Sequence, residues 1–147
     1  MVIVVQRVLS ASVSRKGNPQ SASAIGRGFA LLVGVASDDD EATLRRLAAE
    51  VAKVRLMEDA QGRMGLSLAD AGGEVLAVSQ FTLLADFSKG NRPSFHKAAK
   101  SDVARPVFDR FVSLLSEATG RTVRTGFFGE DMELSLVNDG PVTVVLY

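Results

Sequence analysis

The sequence predicts an α+β fold: a mostly antiparallel, barrel-like β-sheet carrying two packed helices. Short runs dense in Val, Ile and Leu are separated by breaks containing Gly, Asn and Pro, the pattern of strands and turns. Two longer stretches instead repeat apolar residues at helical spacing. A chain of 147 residues with 46% hydrophobic content can bury one real core, and it shows no linker, repeat or low-complexity segment. Residues 1–147 therefore read as a single domain.

Val2 to Val8 is expected as a buried strand, and Ala11 to Ser14 alternates as its partner, closed by the turn Lys16-Gly17-Asn18-Pro19. Gly26-Arg27-Gly28 opens the apolar strand Phe29 to Val35. A dinucleotide loop needs its glycines after a strand and before a helix, so this Gly-x-Gly is set aside. Ser37 or Asp38 is expected to cap the first helix, with the acidic run Asp38 to Glu41 at the positive end of its dipole. Leu44, Leu47, Ala48, Val51 and Val54 form its apolar stripe. A short strand near Val54 to Met57 and a loop over Asp59 to Gly65 follow. After the turn Ala71 to Glu74 comes a strand from Val75 to Leu84 that carries Ser79-Gln80-Phe81-Thr82. The second helix, about Asp102 to Ala118, buries Val107, Phe108, Phe111, Val112, Leu114 and Leu115, and its regular part is expected to begin at Pro106. Strands over Arg121 to Phe127, Asp131 to Val137 and Val142 to Leu146 complete the chain, the last two separated by Asn138-Asp139-Gly140-Pro141. Those four residues favour a hairpin turn between strands.

Composition narrows the chemistry. Lys+Arg and Asp+Glu number 17 each, so polyanion binding must come from a local patch. The absence of cysteine excludes disulfides, thiolate catalysis and Cys-ligated zinc, and a single histidine, His96, excludes a multi-His metal site within one chain. No metal or cofactor is expected. The N-terminal apolar run is too short for a signal sequence or a membrane span, which points to a soluble cytoplasmic protein.

Three stretches could carry function. On a strand, Ser79 and Phe81 would share one face and Gln80 and Thr82 the other. Such polar residues either pair inside a barrel or join backbone amides in an oxyanion site. Lys89, Arg92, His96, Lys97 and Lys100, interleaved with Phe87 and Phe95, suit either a solvated loop or a grip on the phosphates and unpaired bases of single-stranded RNA. Asn138 to Pro141 is either a plain turn or a shaped loop.

Together these residues resemble the D-aminoacyl-tRNA deacylases. Ser79-Gln80-Phe81-Thr82-Leu83 and Asn138-Asp139-Gly140-Pro141-Val142-Thr143 are similar to the two signature motifs of that family, in the expected order. Gln6-Arg7-Val8, Ala11-Ser12-Val13, Gly72-Gly73-Glu74, Lys89-Gly90, Arg92-Pro93-Ser94-Phe95 and Met132 extend the likeness over essentially the whole chain. The chain departs from the family at Gly65, where Asn usually follows Met, and at Glu133, where Gln is common.

The resemblance implies the deacylase fold and hydrolysis of the ester joining a D-amino acid to the 3′ end of tRNA. It implies a homodimer with active sites at the interface, and no membrane partner. Ser79, Gln80, Phe81 and Thr82 would form the catalytic motif. Gly140, Pro141, Arg7, Met132 and Asn138 would bind substrate, and Lys89, Arg92, His96 and Lys97 would hold tRNA. A cis Gly140–Pro141 bond, braced by Arg7, would aim two carbonyl oxygens into the partner's pocket. They would reject L-side chains and pass D-amino acids and glycine. Backbone amides and the 2′-hydroxyl of the terminal ribose would do the chemistry, with Thr82 as a nucleophile the competing mechanism. A trans-type relative with relaxed chiral preference, and a nucleic-acid-binding protein with little catalysis on the same scaffold, are the alternatives.

Overall fold

In the computed structural model, which describes residues 1–147, the organising element is β1, Val2–Arg15. The terminal strand β8, Met132–Leu146, pairs antiparallel along almost its whole length. On the other edge, β2 (Asn18–Ile25) pairs with the distal half of β1 and β3 (Gly28–Gly34) with the proximal half, both antiparallel. From β3 the sheet continues in parallel through β6 (Glu74–Ser79) to β7 (Val123–Thr125). A small hairpin, β4 (Met57–Glu58) with β5 (Met64–Leu66), stands apart from it. The α+β reading holds, with antiparallel pairings in the majority and a parallel limb behind them.

Packing divides the interior in two. Ile3, Val5, Phe29, Leu31, Val33, Val75 and Ala77 point from one face of the sheet onto α1 (Glu41–Lys53) and α2 (Ser101–Thr119). The other face turns Val8, Ala11, Val13, Ile25, Ala30, Leu76 and Val78 into a smaller cluster, with Met132, Leu134 and Leu136 of β8 packed beside it. Residues 29, 31 and 33 of β3 serve the first cluster and Ala30 the second, the two-residue period of a strand buried on both faces. Because β1, β2, β3, β6 and β8 all supply the second cluster, the sheet curls around it in barrel fashion.

Several boundaries differ from expectation, each for a local reason. The strands expected at Val2 to Val8 and Ala11 to Ser14 are one strand, in which the register slips at Leu9. Ile3 and Val5 face the helices, whereas beyond this bulge Ala11 and Val13 face the second cluster. A bulge shifts alternation by one residue, and in sequence that looks like a chain break. β2 was not expected, since Pro19, Gln20 and its Ser and Ala residues are small, polar and mostly exposed. The cap of α1 is Asp40, not Ser37 or Asp38: its side chain accepts the Thr43 N–H at 2.8 Å. That bond, with one from the Thr43 side chain, holds the Asp40 carboxyl below the usual range. Asp39 instead accepts from the Ala36 N–H at 2.7 Å and pairs with the N-terminal ammonium.

Helix α2 starts at Ser101, leaving Pro106 inside it. The proline omits a single bond, to the Asp102 carbonyl, while Phe108, Phe111, Leu114 and Leu115 are buried as their spacing predicts. The short strand expected at Val54 to Met57 lies instead at Met57–Glu58, and the one expected at Arg121 to Phe127 is only Val123–Thr125. Gly28 has a packing role: a β-carbon there would sit 1.9 Å from the Glu74 carbonyl oxygen, so only glycine lets β3 and β6 meet. No helix is long and apolar enough to cross a membrane.

Candidate active site

The strand expected to run to Leu84 stops at Ser79. Gln80 leaves the sheet at φ −147°, ψ 82°, and Phe81–Leu84 form one 3-10 turn. The alternation of faces expected for residues 79 to 82 therefore does not apply beyond Ser79. Gln80 stays tied to the sheet by its N–H, which donates to the Val33 carbonyl at 2.8 Å, while its own carbonyl accepts from the Leu83 N–H at 3.3 Å. A helical turn cannot satisfy its first N–H groups internally, so the amides of Phe81 and Thr82 are presented at the turn's open end. The Gln80 side-chain amide donates to the Thr82 hydroxyl. Phe81 is 57% exposed and meets Phe95 edge to face, the ring centroids 4.9 Å apart and the planes at 73°.

A cleft of about 640 Å³ opens beside this turn. Ser79, Gln80 and Phe81 line one wall, Phe95, Lys100 and Ser101 a second, and the segment from Phe128 to Met132 a third. Met132 is seated by its neighbours: its sulfur accepts the Phe127 N–H at 3.2 Å, and a β-carbon on Gly126 would come within 2.8 Å of it. The third wall is pinned from outside, where Arg15 holds Glu130 through two bonds of 2.6 and 3.2 Å and covers the Phe127 ring at 4.0 Å.

The loop from Asp86 to Lys100 frames the second wall. Asp86 and Ser94 exchange backbone hydrogen bonds of 2.8 and 2.9 Å, which pinches off an excursion with Lys89 and Arg92 exposed on it. Downstream, the Ala99 N–H donates to the Val35 carbonyl at 3.0 Å and anchors the loop to the end of β3. His96 Nδ1 lies 3.1 Å from the Ser94 hydroxyl and its Nε2 lies 3.8 Å from Asp86, with Lys97 at 3.9 Å from the same carboxylate. The Ser88 backbone and side chain bond that carboxyl and hold it below the usual range, with Lys97 and His96 adding their charge.

Asn138, Asp139, Gly140 and Pro141 do not make a hairpin. Asn138 pairs with Val8 and Thr143 with Gln6, so both flanks continue one strand and residues 139–142 bulge out opposite Arg7 alone. The Gly140–Pro141 peptide is cis, and both residues are exposed. Side chains fasten the bulge from two sides. The Asn138 side-chain oxygen accepts the Val142 N–H at 2.8 Å, and its amide donates to Gln6 at 2.8 Å and to Thr143 at 3.3 Å. Arg7, 2% exposed, donates from Nε to the Asp139 carbonyl at 3.2 Å and pairs there with its carboxylate.

Ser79, Gln80, Phe81 and Met132 thus share the cleft. Thr82 stands just outside its lining, and Lys89, Arg92, His96 and Lys97 lie on the adjoining loop. Arg7, Asn138, Gly140 and Pro141 form a second constellation that does not line the cleft. Residues 4–147 match the profile of the D-Tyr-tRNA(Tyr) deacylase family. The chain belongs to this family.

Its similarity to curated relatives runs end to end. It is 51% identical over 146 residues to the D-aminoacyl-tRNA deacylase of Chlorobaculum parvum, covering 99% of this chain and 97% of that one. It is also 51% identical to the Chromobacterium violaceum protein of the same name, covering 99% and 96%. Among solved structures, a c-Myc DNA unwinding element binding protein superposes with TM-score 0.91 at 36% identity, over 100% of this chain and 98% of the other. A probable eukaryotic D-amino acid tRNA deacylase shares the fold at TM-score 0.83 and 19% identity, over 99% and 97%.

Ser101, Phe128 and Asp131 of the cleft, and Glu58 beside Arg7, carry no signal in the sequence that marks them for the site. Lys100 was visible in the basic run, but its place at the start of α2 depends on the helix beginning before Pro106. Glu58 carried no local signal, since it meets Arg7 only through the fold.

Proposed function

We propose that this deacylase, acting as a single domain over residues 1–147, hydrolyses the ester between a D-amino acid and the 3′ end of tRNA. The products are free tRNA and the D-amino acid. The observation that carries this reading is the division of the two signature motifs: one borders a cleft, and the other projects on a braced, exposed loop away from it. In a homodimer, the Gly140–Pro141 loop of one protomer completes the cleft of the other. Its carbonyl oxygens crowd the side an L-substituent would occupy, while D-amino acids and glycine fit. Arg7 and Asn138 hold the loop, and Met132 packs beside the bound aminoacyl group.

The tRNA end enters with its terminal base against Phe81 and its phosphates near Lys89, Arg92, His96 and Lys97. Water attacks the ester carbonyl, and the amides of Phe81 and Thr82 stabilise the oxyanion. Ser79 and Gln80 fix the turn that presents those amides. The 2′-hydroxyl of the ribose assists departure of the 3′ oxygen, which leaves protonated. An aminoacyl ester is already activated, so positioning and oxyanion stabilisation suffice. This work belongs in the cytoplasm, where aminoacyl-tRNA is made and used.

Purified protein at one concentration is expected to deacylate D-Tyr-tRNA rapidly and leave L-Tyr-tRNA intact. Loss of both esters overturns the chiral filter. The relative named for DNA binding favours a second reading, a nucleic-acid-binding protein with little turnover, and tRNA bound without hydrolysis of either ester would establish it. Thr82 is not the nucleophile in this scheme: its hydroxyl is bonded by Gln80, and the one histidine faces Ser94 and Asp86. Thr82→Ala is expected to keep single-turnover hydrolysis within about threefold of the parent, whereas loss of a covalent nucleophile costs orders of magnitude.

A further inference from the structure

Arg7 touches more than the loop. Its Nη1 donates to the Leu56 carbonyl at 2.8 Å, and its Nη2 pairs with Glu58 Oε1 at 3.1 Å. Both partners belong to the β4–β5 segment, remote in sequence from the loop. The same Nη2 lies 3.4 Å from where a β-carbon on Gly140 would stand. A guanidinium is planar, with its donors in a rigid fork, so fixing both terminal nitrogens fixes the direction of the Nε–H as well. That third donor is the one aimed at Asp139, the residue before Gly140.

We infer that Glu58 is a positioning residue for D/L discrimination, acting through Arg7 on the Gly140–Pro141 loop; this rests on the loop's role as the chiral filter. The side chain of Arg7 is 3% exposed and that of Glu58 is 43% exposed. The guanidinium is thus confined by packing and hydrogen bonds, and the carboxylate holds one prong from the solvent side. Without it, Nη2 loses its charged acceptor and the fork is free to swing about the Leu56 contact. The Asp139 carbonyl and Gly140 then lose the surface that seats them. The β4–β5 hairpin becomes part of the specificity apparatus, although it contributes nothing to the cleft lining.

The test compares parent, Glu58→Gln and Glu58→Asp in single-turnover deacylation of D-Tyr-tRNA and L-Tyr-tRNA. Glutamine keeps the size and removes the charge; aspartate keeps the charge. A partly exposed ion pair is modest in strength, so the ratio of D to L rates is expected to fall roughly fivefold in Glu58→Gln. Glu58→Asp should recover most of that ratio. The side-chain N–H resonance of Arg7, assigned by its loss in Arg7→Lys, should exchange with solvent faster in Glu58→Gln. A D-to-L ratio unchanged within a factor of two overturns the proposal. So does an equal fall of both rates, which marks a merely structural role. A parent with no D preference overturns the filter itself, and the parent ratio therefore separates the two failures.

Discussion

Gly140→Ala is expected to lower kcat/KM for D-Tyr-tRNA by about a hundredfold, the scale of a reacting geometry misplaced by about 1 Å. Gly140 holds φ +126°, a region that side-chain-bearing residues rarely enter, and forcing alanine there costs on the order of 1–3 kcal/mol. The space is also taken. An added β-carbon would lie 2.7 Å from Val142 Cγ2 and 2.9 Å from the Val142 nitrogen. That nitrogen cannot withdraw freely, because it donates to Asn138 at 2.8 Å. On the other side stands Arg7, itself held at three points. The loop must therefore move as a unit, carrying Pro141 with it. Because residues 140 and 141 are exposed, the fold should survive, and a thermal melt close to the parent's would show that only the loop has changed. Hydrolysis within tenfold of the parent would mean that loop position does not govern the reaction.

Arg7→Ala is expected to be the most damaging change to stability at the site. It deletes a large buried side chain, leaves the Leu56 carbonyl without its donor and removes the cation between Asp139 and Glu58. Breaking a buried pair costs about 3–5 kcal/mol; since the two carboxylates are partly exposed and can hydrate, the lower figure of about 3 applies. For a chain of this size that corresponds to a fall in Tm of roughly 10 °C. Thermal denaturation followed by circular dichroism reads it directly, and a shift under about 3 °C would show that water replaces the guanidinium without loss. Arg7→Lys should restore charge but not the fork, and recover only part of the difference.

The helices were legible because their signal is local. Leu44, Leu47 and Val51, or Phe108, Phe111 and Leu115, repeat at a spacing that no partner element needs to confirm. The sheet was legible in its apolar strands and opaque wherever register departs from regularity. Leu9 breaks the alternation of β1, and Asp139 to Val142 interrupt β8, yet both strands run on because a long partner pairs across the gap. β2 lacks the apolar signal altogether and is a strand only because β1 offers it an edge. The site divides in the same way. Its two motifs were recognisable as residue strings, but the end of β6 at Ser79 follows from the backbone turning at Gln80, whose carbonyl accepts the Leu83 N–H instead of a strand partner. The anchoring of Arg7 by Leu56 and Glu58 follows from tertiary folding alone.

The interruption of β8 has a further consequence, for solubility. β8 pairs with β1 alone, so its outer edge is a row of amides and carbonyls over 15 residues. Were it unbroken and straight, a Val- and Leu-rich border of that length would be a template on which another chain can add a strand and begin an aggregate. The bulge at 139–142 divides that border into two short stretches set out of line, and Pro141 removes a donor at the break. The exposed loop that carries Gly140 and Pro141 thereby also guards the sheet against fibrous growth.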